Sequence, residues 1–131
     1  MAAGDAGAQS EVSPFCATVY KAAASAVANR AAGQTAEQLR AALPSRESLG
    51  GDSPDVAIAR VLHEIIDDVF SDAPLEQTAY AVYRTEVCIR EEARLPVPES
   101  FAAVRAQVMA CGRQEGDAVI DCAVAVASPE D

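Results

Sequence analysis

The chain has no tryptophan, one histidine, one lysine and no CxxC pair. Each absence closes off a chemistry. A helical zinc metalloprotease needs a second histidine four residues after the first, and after His63 that place holds Asp67 in the run HEIID. Without CxxC spacing the four cysteines, Cys16, Cys88, Cys111 and Cys122, do not form a zinc knuckle. No serine sits in a GxSxG elbow, and Gly50-Gly51 lacks the Lys and Ser/Thr of a phosphate-binding loop. Basic residues are scarce: Lys21 and nine arginines face 20 acidic residues, for a net charge of −10. Nucleic acids and anionic membranes are bound through clustered Lys and Arg, so neither is expected as a partner. The charge suits a basic protein partner, or serves only to keep the protein dissolved. No apolar run approaches the roughly 20 residues of a membrane span, so no membrane insertion is read.

The cysteines are the strongest positive signal. Four in 131 residues, with none left over, read as two disulfides and hence as a protein of the periplasm or the exterior; buried reduced thiols are the competing reading. Four cysteines allow three pairings. The favoured one joins Cys16 to Cys88, tying the first helix to the fourth, and Cys111 to Cys122, closing a short C-terminal loop. Met1–Ser10 shows neither a basic n-region nor an apolar h-region, so no intact signal peptide is read there; Ala6-Gly7-Ala8 has the small-x-small form of a signal-peptidase site.

Half of the residues are apolar, but 29 are alanine and only 5% of the chain is aromatic. The packing must therefore come from close helix contacts around a modest set of larger side chains. Helix punctuation is plain. Ser13-Pro14 opens a helix that Gly33 closes, with Cys16, Tyr20, Ala23 and Val27 on one face and Phe15 and Val19 alongside. Thr35 and Gln38 form a capping-box pattern for a short second helix that stops at Pro44, with Leu39 and Leu43 inward. Residues 44–53 are a surface loop. Ser53-Pro54 launches a third helix to about Phe70, with Ile58, Leu62, Ile65 and Val69 inward and Arg60, Glu64, Asp67 and Asp68 toward water. A fourth helix is expected from Asp72 and Pro74 to about Glu92, and a fifth from Phe101 to about Gly112. Residues 104–127 read as helix, with a hairpin across QEGD as the alternative. The expected fold is an all-α antiparallel bundle of five or six helices stapled by two disulfides, one domain over 13–127, with disordered segments at 1–12 and 128–131.

Catalytic and metal readings centre on His63 and Asp67, four residues apart on one helix face. The simpler reading is a solvated acidic face carrying a histidine. Tyr80 and Tyr83, with Glu64, Asp67 and Asp68, are the candidate interaction surface, since aromatics are enriched at binding hot spots; two tyrosines at this spacing are also common in cores. No catalytic residue, cofactor or metal is expected, and the chain reads as a non-catalytic binding protein. An exported structural or self-associating protein is the alternative, and an enzyme at His63/Asp67 a third.

The run from Cys16 through Arg30, Gly33, Thr35, Leu39 and Leu43, then Asp68-Val69-Phe70, Pro74, Glu76, Ala79 and Cys88, resembles a loose group of small secreted helical proteins of high-GC bacteria. The likeness spans a little over half the chain and implies a Cys16–Cys88 bridge and a periplasmic location. No functional residues come with it. The acidic, helical character is also similar in type to the immunity proteins that neutralise secreted bacterial toxins.

Overall fold

A computed structural model describes residues 12–129. Of the expected disordered ends, residues 1–11, with Ala6-Gly7-Ala8, and residues 130–131 lie outside the described residues; Ser128, expected in the disordered tail, donates its N–H to Ala125 O and its hydroxyl to Val124 O. Six α-helices follow in order: α1 Pro14–Ala31, α2 Ala36–Ala41, α3 Pro54–Phe70, α4 Gln77–Glu92, α5 Phe101–Cys111 and α6 Asp117–Val126, with a 3-10 turn at Arg46–Ser48. There is no strand among the described residues.

The caps form where the local chemistry places them. Ser13, Ser53 and Ser100 each accept a backbone N–H three residues on, and Thr35 and Gln38 complete a reciprocal capping box. Gly33, at φ +100°, ends α1 in a Schellman turn: its own N–H reaches Arg30 O, and Gln34 N–H reaches Asn29 O. The end of α4 has the same two hydrogen bonds, but Arg94 holds the left-handed position at φ +61°.

The core is assembled around α4, which packs on α1, α5 and α6, while α1 also packs on α3. Ala23, Ala79, Ala81, Ala123 and Ala127 are all at most 1% exposed, so the helix backbones approach closely. Tyr80, Ile65, Val19, Val69 and Val108 fill the space between them. Cys16–Cys88 joins α1 to α4 across 72 residues, and Cys111–Cys122 joins α5 to α6 across 11. No helix of the described residues is long and apolar enough to cross a membrane.

Three expectations are corrected. Tyr20, expected on the inner face of α1, is 40% exposed, because the buried face is turned toward Val19, expected at its edge, and Ala26. The fourth helix starts at Gln77, not near Asp72. Glu76 caps it, accepting from Thr78 and Ala79, while two arginines hold the preceding carbonyls out of helical register. Arg105 of α5 donates to Asp68 O (2.7 Å), Ser71 Oγ (2.7 Å) and Ala73 O, and Arg30 of α1 to Val69 O (2.6 Å) and Asp72 O. The last turn of α3 has no basic residue of its own, so cations from two neighbouring helices meet its negative dipole end. Third, Asp68 does not face water; it turns inward toward α4, as described below. The C-terminal segment is helix, as the alanine content indicated: Val119, Ala123 and Ala127 recur every four residues and are buried. Gly116 caps α6 at φ +59° instead of closing a hairpin.

Candidate functional site: an acidic cavity between α3 and α4

Glu64 and Asp68 are one helical turn apart on α3, and Tyr80 and Arg84 one turn apart on α4. α1 packs on both helices and so brings the two pairs face to face. The Tyr80 hydroxyl donates to Asp68 Oδ2 at 2.6 Å; Arg84 lies 3.3 Å from Glu64 Oε1 and 3.6 Å from Asp68 Oδ2. Behind them Tyr80, Tyr83 and Phe101 form an aromatic cluster, with Tyr80 edge-on to Phe101 at 5.2 Å and Tyr83 at 5.5 Å from the same ring. In front opens a cavity of about 290 Å³ that Glu64, Asp68, Arg84 and Glu91 share with Glu99, Tyr83 and an apolar wall of Val87, Val97, Pro98 and Phe101.

Burial dominates the protonation behaviour here. It pushes the Asp68 carboxyl up, against the pull of the Tyr80 hydroxyl and the Arg84 charge. Burial likewise raises Glu91, with Arg84 opposing and Glu64 reinforcing. The Tyr80 phenol lies well above its ordinary range, through burial and the adjacent Asp68 charge, and Tyr83 is pushed up to about 12, chiefly by burial. Burial works against the charge on Arg84, but Tyr80, Asp68 and Glu64 more than restore it. The Arg84 Nε is buried without a partner.

The candidate surface residues thus divide. Glu64 and Asp68 line the cavity; Tyr80 is wholly buried and cannot touch a partner, and Tyr83 is 2% exposed. Asp67 points elsewhere, held by Arg40 at 2.9 Å and by Arg46. Burial would raise its carboxyl, yet the hydrogen bonds from Arg46 and Arg40 prevail and hold it below the usual carboxylate range.

His63 is 4% exposed, not solvated, and its Nε2 lies 2.8 Å from Pro44 O. It lines with Asp67 a cavity of about 480 Å³, but no hydrogen bond joins the two, and each is engaged by other groups. Among the described residues the one group of three close metal-ligating side chains is Cys16, Cys88 and Glu92, and its two sulfurs are spent in a disulfide.

Sequence reasoning missed Arg84, Glu91 and Glu99. Tyr80 and Arg84 at i, i+4 were a usable signal for the first; the other two depend on where residues 97–101 fold back. The molecule is an all-α, doubly disulfide-bonded bundle with an acidic, half-apolar cavity on one flank. No protein-family model, curated protein or solved structure matches this chain.

Proposed function

We propose that this protein is an exported, non-catalytic binding module that docks a basic protein partner through the acidic flank between α3 and α4. One observation carries the reading: Glu91 and Glu99 flank a preformed cavity with no hydrogen bond or ion pair of their own among the described residues, while Glu64 and Asp68 share the single cation there, Arg84. Four carboxylates against one guanidinium leave an excess of negative charge, which raises the energy of the free protein and is relieved by a positive partner. The two disulfides suit a location outside a reducing cytosol, the periplasm or the exterior. Inhibition of a secreted basic protein, in the manner of an immunity protein, is the sharpest form of the reading.

The test is capture from a periplasmic extract of the source organism at low ionic strength, with the charge-reversed Glu64→Lys/Glu91→Lys/Glu99→Lys protein alongside. A basic protein retained by the native chain, lost from the variant and released as the screening length falls below about 8 Å supports the reading. Equal retention by both proteins, or none by either, refutes it. Light scattering on the purified chain separates the self-association alternative, which requires an oligomer without any partner.

A further inference from the structure

We infer that the cavity between α1, α2 and α3 binds a short-chain fatty acid, its alkyl chain among leucines and isoleucines and its carboxylate on Arg40 and Arg46. This goes beyond the docking reading and uses other residues of α3. The cavity, of about 180 Å³, is lined by Ala22 and Ala26 of α1, Leu39 of α2, Leu43 just after it, and Ile65 and Ile66 of α3. Ser25 and Asn29 are its polar lining, and no charged side chain lines it. The short helix accounts for the space. α2 packs on α3, yet none of its six residues is buried, and Leu39 and Leu43 stay half-exposed although their spacing turns them inward. Leucines left half in water around a concave apolar surface forgo burial that an apolar guest restores. A cavity of about 150 Å³ with leucine and isoleucine walls takes a benzene-sized guest, so this one takes a chain on the order of six carbons.

The charges beside the cavity select an acid. Leu43 also lines the cavity of about 480 Å³, so the two meet there, and Arg40 and Arg46 line that second space. Asp67 accepts one N–H from each arginine. A guanidinium carries five donors in a planar fork, so both keep donors for a further carboxylate. Arg46 also lines a third hollow with Arg60, which has no hydrogen bond or ion pair among the described residues. Against these three cations stand Asp67 and Glu47, since Glu64, in the third hollow, is held by Arg84. Three cations against two carboxylates leave one positive charge, on a chain whose net charge is −10. A single incoming carboxylate cancels it. A neutral alcohol of the same length gains the apolar contacts alone, and a cationic amphiphile meets repulsion.

The test is an NMR titration of the full chain with hexanoate, following the methyl groups of Leu39, Leu43 and Ile65. Hexanol, with the same chain and no charge, and acetate, with the charge and no chain, are the controls. Expected are saturable hexanoate shifts at these three residues, no shift there with acetate, and an affinity rising about fourfold per methylene from butanoate to hexanoate. Arg46→Gln, at a side chain 51% exposed, should weaken hexanoate about tenfold and leave hexanol unchanged. Ala22→Phe should abolish the binding of both by filling the cavity. Equal affinity for hexanol and hexanoate overturns the proposal, as does the absence of saturable binding at millimolar hexanoate. Shifts at Leu39 and Leu43 given by N-acetyl-leucine N-methylamide but not by hexanoate would assign the cavity to a side chain of a protein partner. Shifts that follow protein concentration alone would assign it to a second copy of this chain; either result refutes a fatty-acid site. The outcome is separate from that of the docking reading, in whose charge-reversed variant none of the three arginines is changed.

Discussion

Removing the two disulfides in turn should cost unequal amounts of stability, in a ratio set by the loops they close. In the chain-entropy account a cross-link removes freedom from the unfolded chain as the logarithm of loop length. The 72-residue separation of Cys16–Cys88 gives about 4.4 kcal/mol at 25 °C, and the 11-residue separation of Cys111–Cys122 about 2.8 kcal/mol. Cys16 and Cys111 are both 0% exposed, while Cys88 is buried and Cys122 half-buried, so alanine at the first pair loses at least as much packing as at the second and the difference of about 1.7 kcal/mol is a lower bound. The loops do not overlap along the chain, so the two contributions add to about 7 kcal/mol, a large part of the 5–15 kcal/mol that holds a domain of this kind together. The assay is urea unfolding of Cys16→Ala/Cys88→Ala, of Cys111→Ala/Cys122→Ala and of the fourfold variant, none of which leaves a free thiol. The fourfold variant should be unfolded or nearly so without denaturant. Equal losses for the two pairs, or a larger loss for the short loop, would refute the entropic reasoning.

Four further outcomes follow from the packing. Arg105→Met leaves the Ala73 carbonyl and the Ser71 hydroxyl oxygen without their donor and takes from the Asp68 carbonyl one of its two, the other being the Ser71 hydroxyl, and should lower stability by about 2–4 kcal/mol in the same urea assay. A Cβ at Gly112 would stand 2.6 Å from Glu76 Cβ, so Gly112→Ala should destabilise by about 1–2 kcal/mol, although at a φ of −64° alanine would otherwise gain over glycine by restricting the unfolded chain. Arg94→Gly should raise the thermal midpoint, gaining about 0.5–1 kcal/mol by relieving a left-handed non-glycine residue at the α4 terminus. The neighbours Asp67 and Asp68 should respond to pH with opposite signs. Asp67, held low, contributes stability present above its unfolded range and lost as pH falls, so Asp67→Asn should become more costly as pH rises from the acid range to 7. Asp68, held high by burial, is relieved when protonated, so Asp68→Asn should become more favourable over the same rise; parallel pH trends for the two variants in urea unfolding would contradict these assignments.

The parts of the fold legible in the sequence are those governed by local chemistry. Ser13, Thr35, Ser53 and Gly33 bound helices because their side chains or backbone freedom satisfy the end groups of the same turn, and a reader of the chain meets them as neighbours. Periodicity alone placed Ile65 and Val69 inside and predicted all-α architecture. The four cysteines, by number and spacing, announced disulfides, and the favoured pairing is the one the structure contains.

Where the sequence misled, the deciding partner came from afar. Glu76 takes the cap of α4 because Arg30 and Arg105, 42 residues before Asp72 and 32 after Ala73, claim the carbonyls that a longer helix would need. Tyr80 reads as a surface candidate at a spacing more often found in cores until Asp68 is seen to accept its hydroxyl, and His63 reads as solvated until its Nε2 is found 2.8 Å from the Pro44 carbonyl. Local hydrogen bonds and the 3.6-residue period are properties of a segment and survive in the bare sequence. Which polar groups are buried, which are paired, and which carboxylates are left facing an open cavity depend on α3, α4 and residues 97–101 meeting in space, and only the tertiary structure decided that.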